Sequence, residues 1–305
     1  MTMNNNFLNN LLNSISVSGY EEQVQDIVEE EMKDYVDEVR RDEMQNVTCV
    51  INPNSDIRIM LSAHADEIGL MISNIREDGR LQVIDRGGIV PSTYPGHAIS
   101  IKTSKGIVYG VVEAYRELFK EKDLGTKQFL IDIGAKDRED ALSYVSIGDP
   151  IVLDTTIRKL ANDKFTARAL DDRLGVYIIM EAIKRAKKQG CTVGVYAAST
   201  TGEETTKTGA YWTSTRINPS MAIVVDVTYT SDCSGMDPAE MGTVLLGGGP
   251  VLCNSPIVVK ALNTKMEECA KTAGIQIQRE AASRLSYTDG DKIHFSNQGV
   301  PTVLV

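Results

Sequence analysis

Five cysteines, Cys49, Cys191, Cys233, Cys253 and Cys269, are an odd number with no CxxC pair among them. That spacing excludes a disulfide framework and a cysteine-rich zinc site, and predicts reduced thiols that are mostly buried as small apolar side chains. Long apolar runs are missing as well. The longest, such as Ile131 to Ile133 and Met221 to Val225, are strand-sized, against the roughly 18 residues that a membrane span needs. The opening Met-Thr-Met-Asn-Asn-Asn lacks the basic, apolar and small-residue order of a secretory leader, so a cytoplasmic location is expected. The Asn46-Val47-Thr48 glycosylation pattern is then a chance match. Positive charge is short, with 32 Lys and Arg against 42 Asp and Glu and a net charge of -10, which argues against a nucleic acid partner because phosphates are bound by clustered cations. Aromatic residues are only 6% of the chain, leaving few platforms for stacking sugars.

What is present is a globular composition, 42% apolar and 24% charged over 305 residues, long enough for about two cores. Leu8 to about Val39 reads as two short helices with a turn at Ser18-Gly19, where Ser18 and Glu21 fit a capping box. Val24, Ile27, Val28, Met32 and Val36 recur at helical spacing and predict an amphipathic helix over a sheet. Ile57 to Ser62 is an apolar strand. From Gly69 to about Leu160 the chain breaks into short β-like runs, at 70–75, 81–84, 98–102, 106–112, 129–133 and 150–154, which predict a small barrel or two packed sheets. After Ala169 the texture returns to α/β, with a helix over 174–187, a strand over 193–198, a helix beginning near Glu204, a strand over 221–227, a helix over 264–273 and an interior strand opening at Thr302. The fold expected is therefore α/β with an inserted β domain: residues 1–68 and 161–305 form one domain and 69–160 the insert.

Acidic and histidine residues gather where apolar strands end or helices start: His64 with Asp66, Asp171 with Asp172, Glu203 with Glu204, Asp226, and later Asp289. Open α/β sheets place their chemistry at such ends. Carboxylates crowded at one sheet edge repel unless a cation or hydrogen bonds compensate, and imidazole with carboxylates suits zinc, cobalt or manganese.

Four segments, SAHADEIG (62–69), ALDDRLG (169–175), TGEE (201–204) and VVDV (224–227), resemble in order and spacing the tetrahedral and glutamyl aminopeptidase family of dinuclear metallopeptidases, also labelled endoglucanase-like. The resemblance spans essentially the whole chain. It implies a mixed-sheet metallopeptidase domain with helices on both faces, an inserted small β-barrel-like domain used in assembly, a homo-oligomer from dimer to dodecamer, and removal of N-terminal residues from short peptides by two divalent metal ions (Zn, Co or Mn). It further implies His64, Asp171, Glu204 and Asp226 as metal ligands, Asp171 bridging both ions, Asp66 orienting His64, and Glu203 as general base. Asp289 is expected near the site but not on the metal, His294 away from it and His97 at a turn; Arg173, Arg284 and Lys292 are candidates for a first pocket. The family's last histidine ligand would follow Gly299-Val300-Pro301, beyond Val305, so the second metal is expected to keep only Asp171 and Glu204 and activity to suffer. Two other readings stand beside this one: a non-catalytic family member acting through assembly, and a sugar hydrolase using paired carboxylates, for which His64 would have no role.

Overall fold

The computed structural model describes residues 6–305; most of the opening Met-Thr-Met-Asn-Asn-Asn lies outside them. Two helices, α1 (Asn6–Asn13) and α2 (Glu22–Met32), precede β1 (Glu38–Arg41), β2 (Val47–Ile51) and β3 (Arg58–His64). Next come β4 (Gly69–Ile75), β5 (Leu81–Arg86), β6 (Ala98–Thr103), β7 (Gly106–Val112), β8 (Ile131–Asp132), α3 (Arg138–Tyr144) and β9 (Pro150–Leu153). A short hairpin, β10 (Arg158–Lys159) and β11 (Phe165–Thr166), leads to α4 (Leu170–Lys188), β12 (Gly194–Thr200), α5 (Thr208–Ile217) and β13 (Met221–Val224). The remainder is α6 (Pro238–Met241), β14 (Val251–Asn254), α7 (Lys260–Thr272), β15 (Gln278–Ala281), α8 (Gly290–Ile293) and β16 (Thr302–Leu304).

Six strands form one mixed sheet in the order β1-β2-β12-β3-β13-β16. Strands β12, β3, β13 and β16 run parallel, and β2 meets β12 antiparallel. Alternate side chains of a strand face opposite sides, and here they split between two cores. Cys49, Leu61, Ala63, Val195 and Ala197 pack with Val24, Val28 and Met32 of α2 and Val176, Ile179 and Ile183 of α4. Val50, Met60, Tyr196, Ala198 and Val224 pack on the other face with Ala210 and Ile217 of α5 and Ile293 of α8. Because both faces are covered, the central strands read as continuous apolar runs.

Strands β4-β5-β8-β7-β6-β9 close into a barrel, the first of the two β forms the sequence allowed. Its interior is the inward set Leu70, Ile72, Leu81, Val83, Ile99, Ile101, Ile131 and Ile151. Closure leaves the barrel without an unpaired edge.

Several expectations are corrected. Ser18 and Glu21 form no capping box: Glu21 is itself the N-cap of α2 without a side-chain cap, its carboxylate accepts from Gly19 and Gly202, and Ser18 bonds Thr205. No helix begins at Glu204; residues 203–206 form a turn and α5 starts at Thr208. Strand β16 is the last of the six strands, but it is buried along its length and makes a further parallel bridge from Thr302 to Val258 on the side away from β13. Only Cys49 and Cys253 of the five free thiols are buried. Strands β1, β2, β14 and β15 and helix α3 had not been read. Asn46 is buried and bonded to Asp42 and Thr201, in keeping with a chance match to the glycosylation pattern. No described helix is long and apolar enough to cross a membrane.

One buried ion cluster ties the start of α4 to the N-terminal segment. Arg173 is fully buried; it donates to the carbonyls of Leu11 at 2.8 Å, Ser14 at 2.6 Å and Ala65 at 3.3 Å, to Ser16, and to Glu67 at 2.7 Å. Arg168 also meets Glu67. Removing one partner of a buried pair strands the other charge, so Arg173→Met should lose about 3–5 kcal/mol of unfolding free energy, read as a lower urea midpoint; an unchanged midpoint would refute this role.

Candidate metal centre

Three adjacent parallel strands end at one edge of the sheet. β3 finishes on His64, which lies opposite Thr200 at the end of β12, and β13 stops at Val224, two residues before Asp226. The C-terminal ends of these strands thus bring His64, the 201–204 turn and Asp226 together. Asp171 joins from the start of α4, where Asp171 and Asp172 depart from helical dihedrals and are linked by a cis peptide bond.

Among the described residues, His64, Asp171 and Asp226 bring one ligand atom each within 4.8 Å of one another. His64 Nε2 is 3.1 Å from Asp171 Oδ1 and 4.0 Å from Asp226 Oδ1. Glu203 Oε2 stands beside them, 3.9 Å from the same nitrogen. The other ring nitrogen, Nδ1, faces Asp66, 3.1 Å from its carbonyl and 3.4 Å from Oδ1. A donor bond from Nδ1 leaves Nε2 with the lone pair that a metal would take. Asp171 is the open member, with 57% of its side chain exposed, whereas His64 is buried.

The turn that carries the two glutamates is held by its own backbone amides. Thr201 N–H donates to Asn46 Oδ1 at 2.9 Å and Gly202 N–H to Glu21 Oε1 at 3.1 Å. Glu203 N–H reaches Asp66 Oδ1 at 3.0 Å and Glu204 N–H reaches Asp66 Oδ2 at 3.1 Å. Four successive donors thus end on three buried side chains from three separate connecting segments. A Cβ on Gly209 would collide with Thr201 O and Asn46 Oδ1, so the start of α5 can lie against this turn only as glycine. Glu204 is not one of the convergent three. Asp289 lies beneath, accepting from Ser62 at 3.0 Å and Thr200 at 2.5 Å, and is not in the metal set. His294 bonds Gly290 O, and exposed His97 follows the turn at Pro95-Gly96.

The family model of M42 glutamyl aminopeptidases matches residues 45–305. The chain is 31% identical to the lysyl aminopeptidase of Pyrococcus furiosus over 97% of its own length and 86% of the relative's. This chain belongs to the M42 glutamyl aminopeptidase family. Its fold matches the TET aminopeptidase of a marine sediment Thaumarchaeota archaeon with a TM-score of 0.91 at 31% identity, covering 98% of this chain and 86% of that one. The TET1 peptidase of Pyrococcus horikoshii, which can assemble into a tetrahedron or a large octahedral shell, matches with a TM-score of 0.85 at 30% identity, over 98% and 88% of the two chains. As a member of this peptidase family the chain is an enzyme, and the family implies divalent metals.

The donor set fits such ions. Two buried carboxylate oxygens, Asp172 Oδ2 and Asp289 Oδ1, have no hydrogen-bond partner, so negative charge at this M42 site exceeds what the protein compensates. Burial pushes the Asp226 carboxyl up to about 8; His64 opposes the shift, and Asp171 and Glu203 add to it. Burial likewise raises Glu204 to about 8 against His64, with Asp171, Asp66 and Glu203 adding to the rise. For His64 burial disfavours the charged ring, but Asp171, Asp66 and Asp226 outweigh it and raise its pKa well above the ordinary value.

The sequence did not single out Asn46 or Lys207, and it misread Glu21. Glu21 looked like a helix signal, Asn46 belonged only to a chance glycosylation match, and Lys207 carried no reading. Its place four residues after Glu203 was the one available hint of a shared helical face, yet the two meet across a turn.

The raised carboxyls fix the sign of a pH effect. Between the ordinary carboxylate range and about 8, native Asp226 and Glu204 hold protons that the unfolded chain has released, so stability falls as pH rises through that window. His64, also raised, contributes stability that is lost as pH rises from its ordinary value through its raised one. The metal-free protein should therefore melt lower at pH 8 than at pH 6, and added zinc or manganese should recover more at pH 8, because ions replace protons. A midpoint that rises with pH in the presence of chelator would refute the charge imbalance.

Proposed function

We propose that this chain is a metal-dependent aminopeptidase that removes N-terminal residues from short peptides with Glu203 as general base. The observation that carries the reading is the convergence of His64, Asp171 and Asp226 on one point with Glu203 beside it. Paired-carboxylate sugar chemistry would leave His64 without a task.

His64, Asp171 and Asp226 would hold one divalent ion, and Asp171 with Glu204 would take part in holding a second; zinc, cobalt and manganese all suit these donors. A bound divalent ion supplies Lewis acidity, polarising a peptide carbonyl and making water acidic enough to lose a proton near neutral pH. The protein's part is to orient and to move protons. Asp66 holds His64 in the ring orientation that offers Nε2 and anchors the amides of Glu203 and Glu204. Glu203 Oε2 accepts the proton of the attacking water and returns it to the leaving amine, so its burial, which raises its pKa, favours it as a base and then as an acid.

A cavity of about 730 Å³ adjoins Asp171 and Asp226; its apolar walls include Leu174, Ile178, Val227, Tyr229 and Leu246, and its charged residues are Asp171, Asp172, Asp226 and Glu280. Arg173, Arg284 and Lys292 do not line it; Arg173 is consumed by Glu67 and three carbonyls. We assign this cavity to the substrate's first residue. It suits neutral or basic side chains better than acidic ones, for which no cation waits.

We further propose that residues 1–68 and 161–305 form the catalytic domain and 69–160 an assembly domain, in a homo-oligomer between dimer and dodecamer. The support is the exposure of Ile107, Tyr109 and Val111 on the outside of β7 and the shells formed by the TET1 peptidase of Pyrococcus horikoshii.

Elemental analysis for metal per chain, paired with hydrolysis of aminoacyl anilides under added zinc, cobalt or manganese, tests the activity. His64→Ala should lose bound metal and activity together. Glu203→Gln should keep the metal and lose about 10²–10⁴-fold in kcat; full activity in that variant, or absence of both metal and hydrolysis in the wild type, would defeat the proposal. Lysyl or leucyl anilide should exceed glutamyl anilide by about tenfold or more in kcat/KM, the factor for ~1.4 kcal/mol of uncompensated charge. A glutamyl preference would show that the first residue binds elsewhere.

A further inference from the structure

The carboxylate read above as the base is gripped by a cation that the chemistry so far leaves idle. Glu203 Oε1 lies 2.8 Å from Lys207 Nζ, while Oε2 of the same group faces His64 Nε2 at 3.9 Å. Lys207 heads α5 from a left-handed backbone with φ 58, and its own amide donates to Gly202 O at 2.7 Å. Its ammonium has a second carboxylate, Asp291 Oδ2 at 3.4 Å, and stands 5.8 Å from the centre of the Tyr287 ring. Asp291 is anchored in turn: Ser286 N–H donates to Oδ1 at 2.8 Å and Tyr287 N–H to Oδ2 at 2.9 Å. The ammonium thus spans from the catalytic turn to the 286–291 segment.

A glutamate has three rotatable bonds, and the amide clamp on residue 203 fixes only its backbone. Without a second hold the carboxylate would spread over several rotamers, whereas proton transfer needs one oxygen within hydrogen-bond reach of the reacting water. With two carboxylates and a ring face around it, Lys207 is already satisfied, which argues against its being a free cation for an acidic substrate residue.

We propose that Lys207, braced by Asp291, is a positioning residue: its ion pair with Oε1 sets the rotation of the Glu203 carboxylate and presents Oε2 to the metal centre. This rests on the reading of Glu203 as the base, and the test separates the two.

The full chain is prepared as wild type, Glu203→Gln, Lys207→Met, Lys207→Arg and the Glu203→Gln/Lys207→Met double variant, and assayed on the best anilide with the best of zinc, cobalt or manganese. Lys207→Met should lower kcat about 10- to 100-fold, the scale of a misplaced catalytic group, with KM and metal per chain unchanged. Lys207→Arg should recover part of the loss, and Lys207→Met should cost nothing further in the Glu203→Gln background. Independently of activity, the thermal midpoints of the metal-free single and double variants should be non-additive, as expected for residues in contact. Wild-type kcat in Lys207→Met, an equal loss in both backgrounds, or additive midpoints would overturn the proposal; a rise in KM alone would make Lys207 a substrate-binding cation instead. Should Lys207→Met fail to fold, Lys207→Gln carries the same expectations. If Glu203→Gln stays active the base assignment falls, whereas an inactive Glu203→Gln beside a fully active Lys207→Met removes only the positioning role.

Discussion

The site depends on one buried carboxylate. Asp66 is fully buried, and a lone charge so placed would be costly unless it were paired or hydrogen-bonded. Here it meets three groups at once: the His64 ring and the amides of Glu203 and Glu204. Those bonds hold its pKa below the usual carboxylate value although burial works the other way. Each group that compensates Asp66 is also one that the site must hold still. Stabilising the charge and fixing the geometry are the same act, because neither the ring nor the turn can move without leaving the buried Asp66 short of a partner.

The sheet delivers these groups to Asp66. Parallel pairing of β12, β3 and β13 aligns three chain exits on one edge, and packing on both faces leaves that edge as the place where polar groups reach solvent. The segment 169–175 shows how closely scaffold and site are interleaved. Asp171 opens to the cleft, Asp172 is buried with Oδ1 accepting from Gly175 N–H, and Arg173 turns to Glu67 and the Leu11 carbonyl of α1. Seven residues therefore supply a cleft carboxylate, a turn and an anchor, and a change to any one acts on the other two.

That interleaving explains what was legible in the sequence. The barrel strands β4 to β7 and β9, helix α4 and strands β3 and β12 stood out because their apolar spacing is local, and His64, Asp171, Glu203 and Asp226 stood out because acids at strand ends are conspicuous. Strand β2 is buried along its whole length, so it shows no alternation, and β14 with β15 is a short parallel pair joined only through α7. Such pairing depends on contacts distant in sequence. Glu21 and Asn46 failed for a sharper reason: each sits in a pattern with a common local meaning, a helix cap and a sequon, and only the folded chain shows that both are acceptors for one distant turn. Glu204 was expected to lead a helix, but its amide is spent on Asp66 and the helix is deferred to Thr208.

The hold on the turn also bears on how the site tolerates its own charge. Asp171, Asp226, Glu203 and Glu204 repel one another: burial raises the pKa of Asp226 and Glu204, and Asp171 and Glu203 add to the rise. They stay together because their backbones are fixed by groups lying outside the quartet: Asp66 and Asn46 for the turn, sheet pairing for Asp226, and the Arg173 anchor for the start of α4. A site assembled by the ions alone would come apart when they leave, since a metal can organise only ligands that are free to move. Here the positions of the four carboxylates are set by hydrogen bonds within the chain, so a bound cation would change the charge of the site more than its shape, and the energy of the crowded acids would become affinity for it.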